Sequence, residues 1–308
     1  MKIVVWIVGA AVTLAACSGT QPGASDTTSS TTASATSSSV VVTTTTEPAT
    51  TTTLAPVRIA ITGDTGTGTV EQMDVARRME IGESNGDYAA LVLLGDLIYP
   101  NGNLDLVDAV VLDPYSQVLD GGTVLVPALG NHDIQRGSET EILARLGRQN
   151  PWYSQRVGSA LVVVLDSNRP EDPEQLAWLE SELAASQDRW VIAAMHHPPY
   201  SAGYHGSSED VREAFVPLFE KYGVDLVLAG HDHDYQRSIP IADITYVVAG
   251  GGGADVRPTG TDSFTEFSES ALHYVDLEIS DDALRATVIG LDGVIDQFTI
   301  PYAESNRP

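Results

Sequence analysis

The chain has 308 residues, with 16 Lys and Arg against 42 Asp and Glu, a formal charge of −26. That balance excludes a nucleic-acid binder, which needs basic side chains to displace counterions from phosphates, and it excludes a polybasic membrane-binding surface. A single cysteine, Cys17, excludes an intramolecular disulfide.

The N-terminus has the pattern of an address. Lys2 is followed by a mostly apolar stretch from Ile3 to Ala16. It is shorter than the roughly 18 residues that span a bilayer and of a length that suits a signal peptide. It ends in Leu14-Ala15-Ala16-Cys17. This ending resembles the lipobox of bacterial lipoproteins, which implies lipidation of Cys17 after removal of the signal. The expected location is the outer face of the bacterial cell membrane, lipid-anchored and extracytoplasmic. Residues 18–56 form a tether. Of them 22 are Ser or Thr and none is aromatic, so the segment cannot bury enough apolar surface to offset its ordering entropy.

From Val57 the pattern becomes that of a folded domain, expected to fill residues 57–308. Val57 to Ile61 reads as a buried strand and Val70 to Glu83 as a helix. Tyr88 to Leu94, Thr123 to Leu129 and Leu161 to Leu165 are further apolar strands. Pro173 to Ser186 reads as a helix, Trp190 to Met195 as a strand, Ser208 to Tyr222 as a helix and Val224 to Ala229 as a strand. Strands alternating with helices predict an α/β class. After Ile244 to Val248 the helices stop. Ala271–Ser280, Leu284–Gly290 and Val294–Ile300 predict an antiparallel meander, turned at Asp292-Gly293.

The chemistry stands at the strand ends, where open α/β sheets place their ligands. Five apolar strands run into turns bearing metal-type donors. These turns are Gly63-Asp64, Gly95-Asp96 with Tyr99, Gly130-Asn131-His132-Asp133, Met195-His196-His197 and Gly230-His231-Asp232-His233. Five of the seven histidines lie in these turns and His205 follows shortly after one; only His273 lies away, in the meander. Carboxylate, amide and imidazole together suit a dinuclear site for hard or borderline ions.

The order of the five turns, over most of residues 57–255, resembles the calcineurin-like metallophosphoesterase superfamily. Within it the chain is similar to the small, tartrate-resistant-like type of the purple acid phosphatases. Many members of the superfamily carry Asp-x-His in the first turn, but here Gly66 follows Asp64-Thr65. Tyr99 stands instead three residues after Asp96, where the purple enzymes place a tyrosine ligand. The resemblance implies two mixed β-sheets packed as a sandwich, flanked by helices on both faces. It implies Asp64, Tyr99 and His233 around Fe³⁺, Asp96 bridging, and Asn131, His196 and His231 around a divalent ion (Fe, Zn or Mn). A phenol loses its proton only near pH 10, so a strongly charged ion is needed to hold Tyr99 as phenolate.

The expected reaction is hydrolysis of a small phosphomonoester by metal-activated water attacking phosphorus in line. The alternative is a phosphodiesterase or nucleotide hydrolase on the same dinuclear site. His132 is the first candidate for the general acid, with Asp133 orienting its imidazole; the plainer alternative is a histidine that fixes a metal ligand. The spacing of His205 after His196 is like that of a substrate-contacting histidine in the family. His197 is not expected to be a ligand. Arg237 could touch phosphate or pair with a carboxylate. The Gly250–Gly253 run lacks the Gly-Lys-Ser/Thr of a phosphate loop and predicts a close-packed return near the site.

Overall fold

The structure is a computed structural model that describes residues 55–84 and 86–303. The expected signal segment, Cys17 and nearly all of the Ser/Thr-rich tether lie outside the described residues. Val57–Thr62 (β1) and Tyr88–Leu94 (β2) pair in parallel, with Val70–Glu83 (α1) crossing between them. The short helix Ser116–Asp120 (α2) precedes Val124–Ala128 (β3), which is parallel to β2. Glu139–Arg145 (α3) leads into a second sheet, begun by the antiparallel pair Tyr153–Val157 (β4) and Ala160–Val164 (β5). Pro173–Ala185 (α4) returns the chain to Trp190–Ala194 (β6), and Glu209–Tyr222 (α5) returns it to Leu226–Ala229 (β7); β5, β6 and β7 are parallel.

Tyr235–Ser238 (β8), Thr245–Ala249 (β9) and Thr265–Glu269 (β10) complete the second sheet, whose order is β10-β8-β9-β7-β6-β5-β4. His273–Ile279 (β11), Ala283–Gly290 (β12) and Val294–Pro301 (β13) then form the meander. β11 pairs antiparallel with β1, so the last strands return to the first sheet, of order β13-β12-β11-β1-β2-β3.

The apolar runs bury both faces of their strands, as expected for parallel sheets under helices. Ile59, Ile61, Val92 and Leu94 point into the core between the sheets, against Val162, Val164, Ile192 and Leu226. Ala60, Leu91 and Leu93 point the other way, onto Val75 and Met79 of α1. Leu161, Val163 and Val191 pack outward on Leu179 of α4 and Phe215 and Phe219 of α5. The result is a sandwich of two mixed sheets with helices on both outer faces. Local signals set the helix ends. The Asp172 side chain accepts from the N–H groups of Glu174 and Gln175 at 2.9 and 3.1 Å ahead of Pro173, and Gly223 ends α5 in the left-handed region.

Each segment expected to be regular forms, with ends displaced by at most two residues. The elements without a clear sequence signal are β4, β8, β10, α3 and the helical turns between Leu104 and Asp120. β4 and β10 are sheet edges, and their sequences YSQRV and TEFSE lack a continuous apolar run.

Candidate metal centre

The ends of β1, β2 and β3 meet the ends of β6 and β7 at one end of the sandwich. Backbone hydrogen bonds join the turns: Asp64 N–H donates to Gly95 O at 3.0 Å, Gly230 N–H to His196 O at 2.9 Å, and Gly252 N–H to Gly63 O at 2.9 Å. Three of the donor-bearing residues take the left-handed conformation themselves, Asp64 at φ 58°, Asp96 at φ 51° and His231 at φ 71°. Such strain in non-glycine residues persists only where the surroundings over-determine it, typically at functional sites. The neighbouring glycines supply space as well as freedom. A Cβ on Gly230 would stand 2.6 Å from Asp64 Oδ2, and one on Gly252 would stand 2.3 Å from the Gly63 carbonyl. The Gly250–Gly253 run is the close-packed return expected, pressed against the turn that holds Asp64.

The seven residues expected as ligands converge. The Tyr99 hydroxyl lies 3.2 Å from Asp64 Oδ1, 2.9 Å from Asp96 Oδ2 and 3.1 Å from His233 Nε2. On the other side, His196 Nε2 lies 3.4 Å from Asp96 Oδ1, 3.1 Å from Asn131 Oδ1 and 3.2 Å from His231 Nδ1. Asp96 thus turns one oxygen toward each group. Two of the imidazoles are oriented from behind. His196 Nδ1 donates to the Leu94 carbonyl at 2.8 Å and His233 Nδ1 to the Asp255 carbonyl at 2.9 Å. In the neutral ring each Nε2 then keeps a lone pair facing inward, the arrangement that prepares a histidine for a metal.

The electrostatics suit a cation. Burial pushes the Asp64 carboxyl up to about 6, against the hydrogen bond from His233, and the charge of Asp96 adds to the rise. Burial holds His196 well below the ordinary imidazole range and pushes His231 down to about 2, with neighbouring imidazoles adding to both. Burial and the charges of Asp64 and Asp96 raise the Tyr99 phenol. For His233, burial opposes the charge, but the hydrogen bond and charge of Asp64 outweigh it and the net shift is upward. Buried carboxylates beside the imidazoles of His196 and His231, which burial keeps neutral, are what a bound ion compensates. The donor set therefore fits metal ions without rearrangement of its framework.

His132 sits on the rim. Its backbone N–H donates to Asp96 Oδ1 at 2.9 Å, Nδ1 lies 2.5 Å from the Pro100 carbonyl, and Nε2 lies 3.9 Å from Asp96 Oδ2. Asp133 does not orient this imidazole, contrary to expectation. It is buried and accepts from the N–H groups of Leu97, Ile98 and Gly130 at 3.1, 2.9 and 2.7 Å, tying the second and third turns together. Both its oxygens are taken up by buried backbone N–H groups, two of them from the turn after β2, which leaves none turned to the ring. The His205 ring stacks on that of His231, 4.3 Å between centroids, and its backbone is held by Asp232 Oδ1 at 2.6 Å. Arg237 pairs with Asp296 at 2.7 Å, the plainer of its two readings.

Sequence reasoning missed a sixth turn, Asp166-Ser167-Asn168 after β5. The Ser167 hydroxyl accepts from the N–H groups of His196 and His197 at 3.2 and 2.9 Å, which fills both its lone pairs. Its proton therefore goes to His197 Nδ1, 2.9 Å away, and leaves the proton of a neutral His197 on Nε2. An imidazole nitrogen of His197 lies within 4.8 Å of ligand atoms on His196 and His231. The strand ending at Leu165 was legible; applying the strand-end rule once more would have reached Ser167. Arg257, whose guanidinium donates to His205 Nε2, was also missed and carried no motif.

Two mixed sheets that carry metal-type donors at their strand ends have the architecture of the metallophosphoesterase fold. The chain belongs to the calcineurin-like phosphoesterase family, whose model matches residues 57–235, more than half of the chain. It is similar to purple acid phosphatase 3 of Arabidopsis thaliana, at 26% identity over 81% of this chain and 79% of the relative. It is similar to tartrate-resistant acid phosphatase type 5 of Homo sapiens, at 28% identity over 58% of this chain and 64% of the relative. Other curated plant relatives are longer, and the chain spans 38% and 50% of two of them. Among solved structures, the purple acid phosphatase PPD1 of yellow lupin (Lupinus luteus) shares the fold. Its TM-score is 0.71 at 21% identity, over 82% of this chain and 55% of that one.

Proposed function

We propose that the protein hydrolyses small phosphomonoesters as a purple acid phosphatase does, around two metal ions. In this reading Asp64, Tyr99 and His233 would hold Fe³⁺, Asn131, His196 and His231 would hold a divalent ion (Fe, Zn or Mn), and Asp96 would serve both. One observation carries the reading: Asp96 Oδ2 lies 2.9 Å from the Tyr99 hydroxyl while its Oδ1 lies 3.4 Å from His196 Nε2. When bound, such a metal pair lowers the pKa of water and neutralises charge on phosphoryl oxygens. The chain's own groups supply the rest. His132, whose Nδ1–H faces the Pro100 carbonyl, can give a second proton from Nε2 to the leaving alcohol when the ring is the imidazolium. His205, stacked on His231, bounds the place where the phosphoryl group would enter.

The surplus of acidic side chains supports small substrates over nucleic acids. The Cys17 lipobox supports a lipid anchor on the outer face of a bacterial membrane, with the domain borne on the tether. The test is turnover of para-nitrophenyl phosphate against bis-para-nitrophenyl phosphate by protein reconstituted with iron and a divalent ion. Preference for the monoester, lost on chelation and regained on adding metal, is expected. Preference for the diester would move the assignment to a phosphodiesterase.

A further inference from the structure

Arg257 follows the glycine return on a loop that is fastened twice to His233. Its backbone N–H donates to the His233 carbonyl at 3.1 Å, and two residues earlier the Asp255 carbonyl accepts from His233 Nδ1 at 2.9 Å. The guanidinium donates through Nη1 to His205 Nε2 and lies 4.9 Å from the centroid of the Tyr204 ring. His205 in turn stacks on His231 at 4.3 Å. A permanent cation is thus held one imidazole away from the donor cluster, at the open rim, where Tyr204 is 71% exposed.

Most of the described arginines pair with a carboxylate, whereas Arg257, like Arg136 and Arg148, does not among the described residues. Arg58, Arg145, Arg156, Arg237 and Arg285 each pair with a carboxylate. Among the described residues no carboxylate lies within 4.0 Å of the Arg257 guanidinium, although the chain carries 42 acidic side chains. Its neighbours there are a ring nitrogen and a ring face, both uncharged. They fix the plane of the fork and leave further N–H donors unoccupied. A planar, pre-oriented guanidinium of this kind matches the two oxygens of a carboxylate or phosphate.

We propose that Arg257 determines specificity by receiving a second anionic group on the alcohol portion of the substrate. The favoured class is then phosphomonoesters that carry a carboxylate or a further phosphate, close enough to reach the rim while the ester phosphate lies on the donor cluster. The inference rests on the phosphomonoesterase reading and narrows it.

Two matched pairs of probes test it. Phenyl phosphate and 4-carboxyphenyl phosphate report turnover; phenylphosphonate and 4-carboxyphenylphosphonate report binding by calorimetry on the metal-loaded protein. The wild type should favour the carboxylated member of each pair by about tenfold, between the small worth of an exposed ion pair and the larger worth of a charged hydrogen bond. Arg257→Gln should bring both ratios near one, and Arg257→Lys should keep part of the preference. The ratio separates this role from a merely structural one, because damage passed through His205 would weaken both members alike. An unchanged ratio in Arg257→Gln, or a wild-type ratio of one, overturns the proposal. Selective binding of the carboxylated phosphonate without hydrolysis of either phosphate would overturn the phosphomonoesterase reading and keep the assignment to Arg257.

Discussion

The two sheets bring different chemistry to the same place. The strand ends of the first sheet supply oxygens: Asp64 after β1, Asp96 and Tyr99 after β2, Asn131 after β3. The strand ends of the second supply nitrogens: His196 after β6, and His231 and His233 after β7. Neither sheet holds a complete set. The Tyr99 hydroxyl needs His233 across the gap at 3.1 Å, and His196 Nε2 needs Asn131 and Asp96 across it at 3.1 and 3.4 Å. The site therefore exists only when the inter-sheet core is closed, and each donor group draws on both sheets. The mixture still differs from one side to the other. The Tyr99 side is rich in anionic oxygen, which suits a hard, highly charged ion, and the His196 side is rich in neutral nitrogen, which suits a borderline divalent ion.

The largest expected effect comes from the residue that joins the two sides. Asp96→Asn keeps the size of the side chain but removes the charge that each group shares. Metal stabilisation of transition-state charge is worth several kcal/mol, so kcat should fall by about 10³-fold or more. Metal analysis should show fewer than two ions per chain. Two tightly retained ions with near-normal turnover would show that Asp96 does not join the groups.

His132→Ala comes next, because it removes a proton donor without removing a ligand. The loss in kcat should be about 10²-fold for alkyl phosphates, within the range of general acid catalysis, with both ions still bound. It should shrink for para-nitrophenyl phosphate, whose oxyanion leaves without a proton. Equal losses for the two substrates would assign His132 to holding the phosphoryl group. Tyr99→Phe should cost less, about tenfold in kcat, since Asp64, Asp96 and His233 remain on that side. Its clearer readout is colour. Phenolate on Fe³⁺ gives a charge-transfer band, so iron-loaded wild type should be violet to pink and the variant colourless. A colourless wild type would remove Tyr99 from the iron side.

The sequence carried much of this comparison but not all of it. The apolar runs and the residues that follow them predicted the strands and the five donor-bearing turns, because a buried parallel strand leaves an unmistakable block of Val, Ile and Leu. Which sheet each turn belongs to was not legible. Strands buried on both faces show no alternation that would tell one face from the other, and β11 to β13 rejoin the first sheet only through long-range pairing with β1. The role of Asp133 was misread for a related reason. Its partners, Leu97 and Ile98, are 36 and 35 residues distant in the chain and are backbone donors, which no side-chain pattern reveals. Arg257 was not legible at all, since its place follows from the return that the glycine run makes against Asp64.

The smallest expected effect tests whether the nitrogen side can be loosened alone. Ser167 lies outside the donor set, yet its hydroxyl holds the backbone N–H groups of His196 and His197 and gives its proton to His197 Nδ1. Ser167→Ala removes all three hydrogen bonds while keeping the side chain small in a buried position. His196 keeps its bond to the Leu94 carbonyl, so its ring should tilt rather than leave. Loss of such a supporting contact costs about 10–100-fold in metal affinity or activity, and about tenfold is expected here because one orienting bond survives. The divalent ion should be lost more readily to a chelator, while the iron colour that reports Tyr99 stays unchanged. The proton of His197 should also be freed to occupy either nitrogen, which would appear as exchange between tautomers in the imidazole ¹⁵N spectrum of the metal-free protein. If the colour fades together with the divalent ion, the two sides act as one rigid unit, and the division of labour between oxygen and nitrogen donors does not extend to their stability.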